Sequence, residues 1–310
     1  MKILSKLLIA GTFSLFFFSC GEEKLGPSIF VDTELDPNSA SYEFDYWLNQ
    51  NFKEPYNLVF RYRMKDVEVD MKYNLSPVRM DKAKEMIQLI DYLWLDVYSQ
   101  MVSPDFLKEN CPRIMQLVGS LAWNIASRTQ VQGQAEGSIK VTLYGCNDLN
   151  FRDVVKMNDN YFITMHHEFC HILHQKKAYS KDFPLISAGK YDPNIWNELT
   201  NAQARSLGFV SPYGSSEPQE DFVEVFARYL IMTDAEWESL LVMASKNTYG
   251  FNSNEIVDDG VDGRAIILQK LDEVKKWCKT SWGIDMEKLR KEILIRQAVV
   301  ANIGGVPEQQ

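Results

Sequence analysis

The sequence predicts an α+β fold: an N-terminal lobe with a small sheet, a C-terminal helical lobe, and a functional cleft between them. Three observations lead there. The β-prone runs lie in the first half of the chain. A helical pattern carrying all four histidines of the 310 residues, His166, His167, His171 and His174, follows them. From there to residue 300, apolar residues recur mainly at helical spacing.

The first nineteen residues read as a signal segment, outside the fold. Lys2 and Lys6 give a basic start, and Leu7 to Phe18 is an apolar run of twelve residues, too short to span a bilayer. Residues 20–40 are polar, with Gly, Pro, Asp, Asn and Ser, and read as a tether. Residues 41–303 are the expected folded domain, with lobes at about 41–185 and 186–303. Within it, Tyr56 to Met64 alternates as a strand, with Leu58, Phe60, Tyr62 and Met64 on one side. Asp81 is placed to cap a helix whose Ala83, Met86, Ile87, Ile90, Leu93, Trp94 and Val97 form a core stripe. Ile114–Val118 and Ile139–Tyr144 are short β-prone runs, and Gln130–Gly137 reads as a turn-rich connection.

A helix is expected from about Tyr161 to Gln175, with Asn158, Asp159 or Asn160 as its cap. Phe162, Met165, Phe169, Ile172 and Leu173 form its apolar stripe, and His167 and His171 lie off that stripe. Further helices are expected at Asn197–Leu207, stopped by Gly208, at Gln219–Met232, burying Phe222, Val225, Phe226 and Tyr229 or Leu230, and at Glu236–Ala244. Arg264 to Val300 is helical with a break near Trp282-Gly283. The acidic turn Asp258–Gly263 lacks the alternating ligands of a calcium loop.

Composition excludes some classes. The formal charge is −9, and losing Lys2 and Lys6 with the signal makes it −9 − 2 = −11. An acidic chain with no basic cluster is a poor nucleic-acid binder. Cys111, Cys146, Cys170 and Cys278 are too widely spaced for a zinc finger. Four cysteines allow three disulfide pairings, a Cys111–Cys146 bridge among them, and nothing in the sequence selects one. Cys170 reads as a buried small apolar residue.

The chemistry lies in His167-Glu168-Phe169-Cys170-His171, an H-E-x-x-H pattern. Residues four apart on a helix differ by only about 40° in direction, so both imidazoles face one way and suit one zinc ion. Glu168 flanks that position as a candidate general base. A catalytic zinc takes three protein ligands and keeps one position open. His174 faces the same way, but one straight helix cannot bring three successive turns around one ion. It reads as a polar residue near the cleft. His166, rotated about 100° from His167, reads as a supporting or surface residue. With no other histidine available, the third ligand is expected to be a carboxylate, and Glu217–Glu224 is the best segment. Glu220 and Glu224 there share a helix face, which suits a ligand plus a carboxylate that orients a histidine.

Together, His167-Glu-Phe-Cys-His, Gly208-Phe-Val-Ser-Pro-Tyr-Gly and Glu220-Asp-Phe-Val-Glu-Val-Phe resemble the substrate import-associated zinc metallohydrolase lipoproteins of Bacteroidetes. The box Phe17-Phe18-Ser19-Cys20 likewise resembles a lipoprotein cleavage site, with Cys20 as the lipidated residue. The acidic residues after it resemble a surface-export tag. Residues 150–235 are also similar, more distantly, to the protease domain of anthrax lethal factor. There a tyrosine stands seven residues before the zinc-binding glutamate and a second glutamate four after it, spacings matched by Tyr213, Glu220 and Glu224.

The resemblance implies a zincin-like metallopeptidase fold of the glutamate type. It implies Zn2+ held by His167, His171 and Glu220, Glu168 as base, and Tyr213 as a group near the metal-bound water. It also implies a peptide or protein substrate, a lipid anchor in the outer membrane with possible surface exposure, and a TonB-dependent transporter with its surface binding lipoprotein as partners. Two rival readings remain: a binding lipoprotein with a structural zinc, and a hydrolase of non-peptide amides.

Overall fold

The computed structural model of the chain describes residues 35–64, 73–124, 129–131, 133–136, 139–245, 248–249, 256–257 and 260–308. The expected signal segment, Cys20 and most of the tether lie outside them, as do Asp258 and Asp259. The chain divides into two units, Met1–Asp45 and Tyr46–Gln310. In the first, Asn38 N donates to Asp36 Oδ1 at 2.9 Å and Ser41 Oγ to Asp45 Oδ2 at 2.8 Å, and helix α1 (Tyr42–Leu48) begins there.

In the second unit the strands are short. They are β1 (Val59–Arg61), β2 (Ile114–Leu117), β3 (Ala122–Asn124), β4 (Thr129–Val131), β5 (Gly133–Glu136), β6 (Lys140–Leu143), β7 (Thr248–Tyr249) and β8 (Ile256–Val257). One sheet has the order β1-β2-β6-β5. β1, β2 and β6 run parallel, in register Val59↔Ile114 and Ile114↔Lys140, and β5 closes the edge antiparallel with Glu136↔Lys140. Met115, Gln116, Leu117, Val141, Thr142 and Leu143 are all buried, as expected of central parallel strands covered on both faces. β1 is shorter than Tyr56–Met64, but the alternation holds, since Leu58, Phe60 and Tyr62 are buried. The stretch expected to be a turn-rich connection instead supplies β4 and β5. Pairing with β3 and β6 satisfies their backbone groups better than an open loop would.

The helices are α2 (Met80–Ile90), α3 (Asp96–Met101), α4 (Pro104–Asn110), α5 (Val154–Met157), α6 (Ile163–Lys176), α7 (Phe183–Ile186), α8 (Asn201–Ser206), α9 (Pro218–Ile231), α10 (Asp234–Ala244), α11 (Gly263–Trp282) and α12 (Met286–Ile303). α2 runs through a π turn into α3, and the expected stripe from Ala83 to Val97 is buried. Asp81 lies in the first turn of α2, whose cap position is Arg79. α5 runs through a π turn at Asn158–Phe162 into α6. Asn158, Asp159 and Asn160 therefore do not cap the histidine helix. Asp153 accepts from Lys156 N at 2.9 Å and does so. Asn158 is used for packing instead: it donates to Ile231 O at 3.2 Å and accepts from Gln297 Nε2 at 2.7 Å.

Among the described residues, the chain after α6 is helical apart from loops and the β7–β8 pair. Thr200 and Thr233 form capping boxes with Gln203 and Glu236. Gly283 ends α11 in the left-handed region at φ 71°, which accounts for the break expected there. Gly208 ends α8 at φ 92°, and a Cβ on it would lie 2.3 Å from Ile266 Cγ2, so both backbone and space require glycine. α9 packs against α6, α11 and α12. Arg290 on α12 caps its C-terminal end, donating to Tyr229 O at 2.8 Å and Met232 O at 2.7 Å.

One ion pair fixes the start of α9. Asp221 and Lys270 are both fully buried, with Nζ 2.7 Å from Asp221 Oδ2. Tyr191 OH donates to the same oxygen at 2.9 Å, and Lys270 donates to Gly208 O at 2.7 Å. Burial pushes the Asp221 carboxyl up and the Lys270 ammonium down, each against the pull of its partner. Such a pair adds little net stability, but breaking it leaves a buried uncompensated charge. Lys270→Met is therefore expected to cost about 3–5 kcal/mol in denaturant unfolding. A loss below about 1 kcal/mol would show that Asp221 finds other compensation.

Candidate metal centre

His167 and His171 are one turn apart on α6, and their ring centroids lie 4.8 Å apart. Glu220 comes from the first turn of α9, which Pro218 opens and where the helix dipole favours a carboxylate. His167 Nε2 is 3.1 Å from His171 Nε2 and 3.1 Å from Glu220 Oε2, and the third side of the triangle is 3.3 Å. Tetrahedral zinc, with bonds of about 2.0–2.1 Å, places neighbouring donor atoms roughly 3.3–3.4 Å apart. The three side chains fit that ion. Among the described residues they are the one group of three or more such side chains with donor atoms this close.

The electrostatics favour a cation at the triangle. Burial opposes charge on His167, but Glu220 and Glu224 outweigh it and hold its pKa up at about 10. Burial likewise opposes charge on Glu220, yet hydrogen bonds from His167 and His171 bring its carboxyl down to about 2.

The outer nitrogens are tied down. His167 Nδ1 lies 2.9 Å from Glu224 Oε1, so an imidazole using Nε2 as a donor atom carries its proton on Nδ1 and gives it to Glu224. Glu224 Oε2 accepts from Ser211 Oγ at 2.5 Å and Arg228 Nε at 2.7 Å. Burial would raise the Glu224 carboxyl, but the Arg228 charge and the hydrogen bonds from His167 and Ser211 hold it well below the carboxylate range. His171 Nδ1 lies 2.8 Å from His174 Nε2, and burial pushes His174 down to about 4, leaving it neutral.

Glu168 is half-buried on the same turn of α6. Burial is the main cause that raises its pKa; Glu220 and Glu224 add to it, and the two histidines oppose it. Tyr213 lies on the turn before α9, its ring centroid 5.9 Å from that of His167 and 4.9 Å from that of Trp196. Burial, then the charges of Glu220, Glu168 and Glu224, hold its phenol above the usual range. Two arginines lie near this part of the chain: Arg228 Nε donates to Glu224 at 2.7 Å, and Arg205 Nη1 lies 3.2 Å from Met243 Sδ.

The sequence reading missed several supports. His166 is not at the surface. It is fully buried, with Nδ1 2.9 Å from Tyr98 OH, because its 100° rotation turns it into the aromatic cluster of Tyr98, Phe106 and Phe169. Burial alone lowers its pKa to about 3. His174 supports His171 rather than joining the triangle. Arg228 could have been found from its i,i+4 spacing to Glu224 and Ser211 from its place in the Gly208-Phe-Val-Ser-Pro-Tyr-Gly segment, whereas Trp196 carries no sequence signal. Cys170 is buried as expected. Cys111 and Cys146 are free rather than bridged, and burial raises both thiols to about 12.

A family model described as "Putative zinc-binding metallo-peptidase" matches residues 37–287. The chain belongs to this family. Among solved structures, it is similar to a "putative zinc-binding metallo-peptidase" from Bacteroides caccae. The identity is 37% over 84% of this chain and 93% of that one, with a TM-score of 0.70. No curated protein matches the chain. The membership bears out the zinc metallopeptidase resemblance and the α+β fold, and zinc is the metal that the family description names.

The two glutamates are expected to differ in kind. Glu220→Ala removes a corner of the triangle and should abolish tight zinc binding. Glu224→Ala removes only the orienting partner of His167 and should weaken binding about 10–100-fold. Competition against a chelating dye distinguishes them, and the opposite ranking would exchange their roles.

Proposed function

We propose that this protein is a zinc-dependent metallopeptidase of the H-E-x-x-H plus glutamate type, with His167, His171 and Glu220 holding the metal. The donor triangle, with a half-buried carboxylate beside it, carries the reading. A structural zinc closes its fourth position with protein and has no use for a base.

Bound zinc supplies a Lewis acid that makes water acidic and polarises a carbonyl. Glu168 accepts a proton from the attacking water. The water oxygen bonds to the scissile carbon, the carbon–nitrogen bond breaks, and Glu168 returns the proton to the leaving amine. A raised pKa suits this shuttle, which must both take and release a proton. Tyr213, protonated at neutral pH, donates a hydrogen bond to the carbonyl oxygen as negative charge gathers there. Glu224 and His174 hold the two histidine rings in the required tautomer.

The cellular placement rests on the sequence. We infer that Cys20 carries a lipid, that the protein sits on the outer membrane, exposed at the cell surface, and that it serves a TonB-dependent importer and its surface binding lipoprotein. The lipoprotein-like box at Cys20 and the family resemblance support this. Among the described residues no helix is long and apolar enough to cross a membrane.

On a fluorogenic mixed peptide library, Glu168→Gln should retain zinc and lose about 10²–10⁴ in kcat. Tyr213→Phe should lose about 10²–10³ in kcat with little change in KM. A Glu168→Gln protein that cleaves normally would favour a binding lipoprotein over an enzyme. Cys20→Ser should release the protein from the membrane fraction, and unchanged sedimentation with membranes would place the anchor elsewhere.

A further inference from the structure

The two oxygens of Glu224 serve different parts of the site. Oε1 lies 2.9 Å from His167 Nδ1. Oε2 accepts from Ser211 Oγ, and Ser211 stands two residues before Tyr213. The Ser211 hydroxyl is buried and fully used: it donates to Glu224 and accepts from Gly214 N at 3.2 Å. Gly214 is the residue after Tyr213, so the two bonds span the tyrosine.

The rest of the turn is tightened by its own side chains. Ser215 Oγ donates to Pro212 O at 2.6 Å and Ser216 Oγ to Tyr213 O at 2.7 Å. Those side-chain bonds stay within the turn, and outside it Asp192 N donates to Ser215 O at 2.8 Å, a tie to a loop and not to the ligand helix. Among the hydrogen bonds of Ser211, Ser215 and Ser216, only that of Ser211 joins the turn to the helix carrying Glu220. The turn lies directly against this helix, since a Cβ on Gly214 would be in ordinary contact with Asp221 Cα at 3.5 Å and Glu224 Cβ at 3.8 Å.

We propose that Ser211 is a positioning residue: it latches the Tyr213 turn to Glu224, so that one carboxylate sets both the orientation of His167 and the place of the phenol. The idea rests on the reading of Tyr213 as the carbonyl-oxygen donor. Ser211→Ala removes the latch and leaves the His167–Glu224 and Arg228–Glu224 bonds in place. Zinc binding is then preserved while the turn that carries the phenol loses its tie to Glu224. The edge-on packing on Trp196 and the phenol's own hydrogen bond to Glu220 remain, but they hold the ring and not the backbone of the turn.

The test joins a structural readout to a double-mutant cycle in the full chain loaded with zinc. In Ser211→Ala, amide exchange at Gly214 should speed up at least about tenfold, because its acceptor is gone, while exchange along α6 stays as in the parent. With the mixed peptide library, kcat should fall about tenfold at nearly constant KM and unchanged zinc content. Adding Ser211→Ala to Tyr213→Phe should cost nothing further, because the latch acts through the phenol. Additive losses, parent-like Gly214 exchange, or loss of zinc from Ser211→Ala would each overturn the latch. If Tyr213→Phe is slow but Ser211→Ala is not, the latch fails and the role of Tyr213 stands. If Tyr213→Phe has parental kcat, both fall.

Discussion

Three lone-pair donors must be held about 3 Å apart in a half-buried place where, with no cation, they repel or compete for protons. Much of the architecture around the site answers that demand. Two of the donors come from one helix turn, which costs nothing in topology. The third lies about fifty residues away in sequence, so the geometry depends on how α9 packs against α6. Small shifts between those helices would open the triangle.

The polar residues around α9 act as pins for this helix pair. Asp221 follows Glu220 directly, and its buried pairing with Lys270 fixes the first turn of α9 against α11. Arg290 secures the other end through the last carbonyls. Asn158 and Gln297 join the run into α6 to the end of α9 and to α12. Buried polar pairs of this kind contribute less to stability than apolar packing would, and their value here lies in fixing one arrangement. Burial has a second effect. It raises the pKa values of Glu168 and Tyr213, so the groups suited to move or donate protons sit in surroundings that keep them protonated more readily than water would.

What was legible in the sequence was what depends on local spacing. The H-E-x-x-H pair, the helical stripes and the stop at Gly283 are all short-range signals. Glu220 needed more. The lack of a spare histidine and the shared face of Glu220 and Glu224 pointed to it, and the resemblance agreed through the spacing to Tyr213. The errors share one cause. Asn158 looked like a cap because its tertiary partners, Ile231 and Gln297, lie far along the chain. His166 looked peripheral because Tyr98 is 68 residues away. Gln130–Gly137 looked like a turn-rich connection because short strands draw their definition from partners rather than from their own pattern.

The central claim is that His167, His171 and Glu220 hold one zinc ion through Nε2, Nε2 and a carboxylate oxygen. Anomalous diffraction at the zinc edge, on crystals of the zinc-loaded protein, tests it most directly. The account predicts a single strong peak about 2.0–2.2 Å from all three atoms, with no fourth protein ligand. A peak ligated by His174 or Glu224, or no peak between α6 and α9, would contradict it.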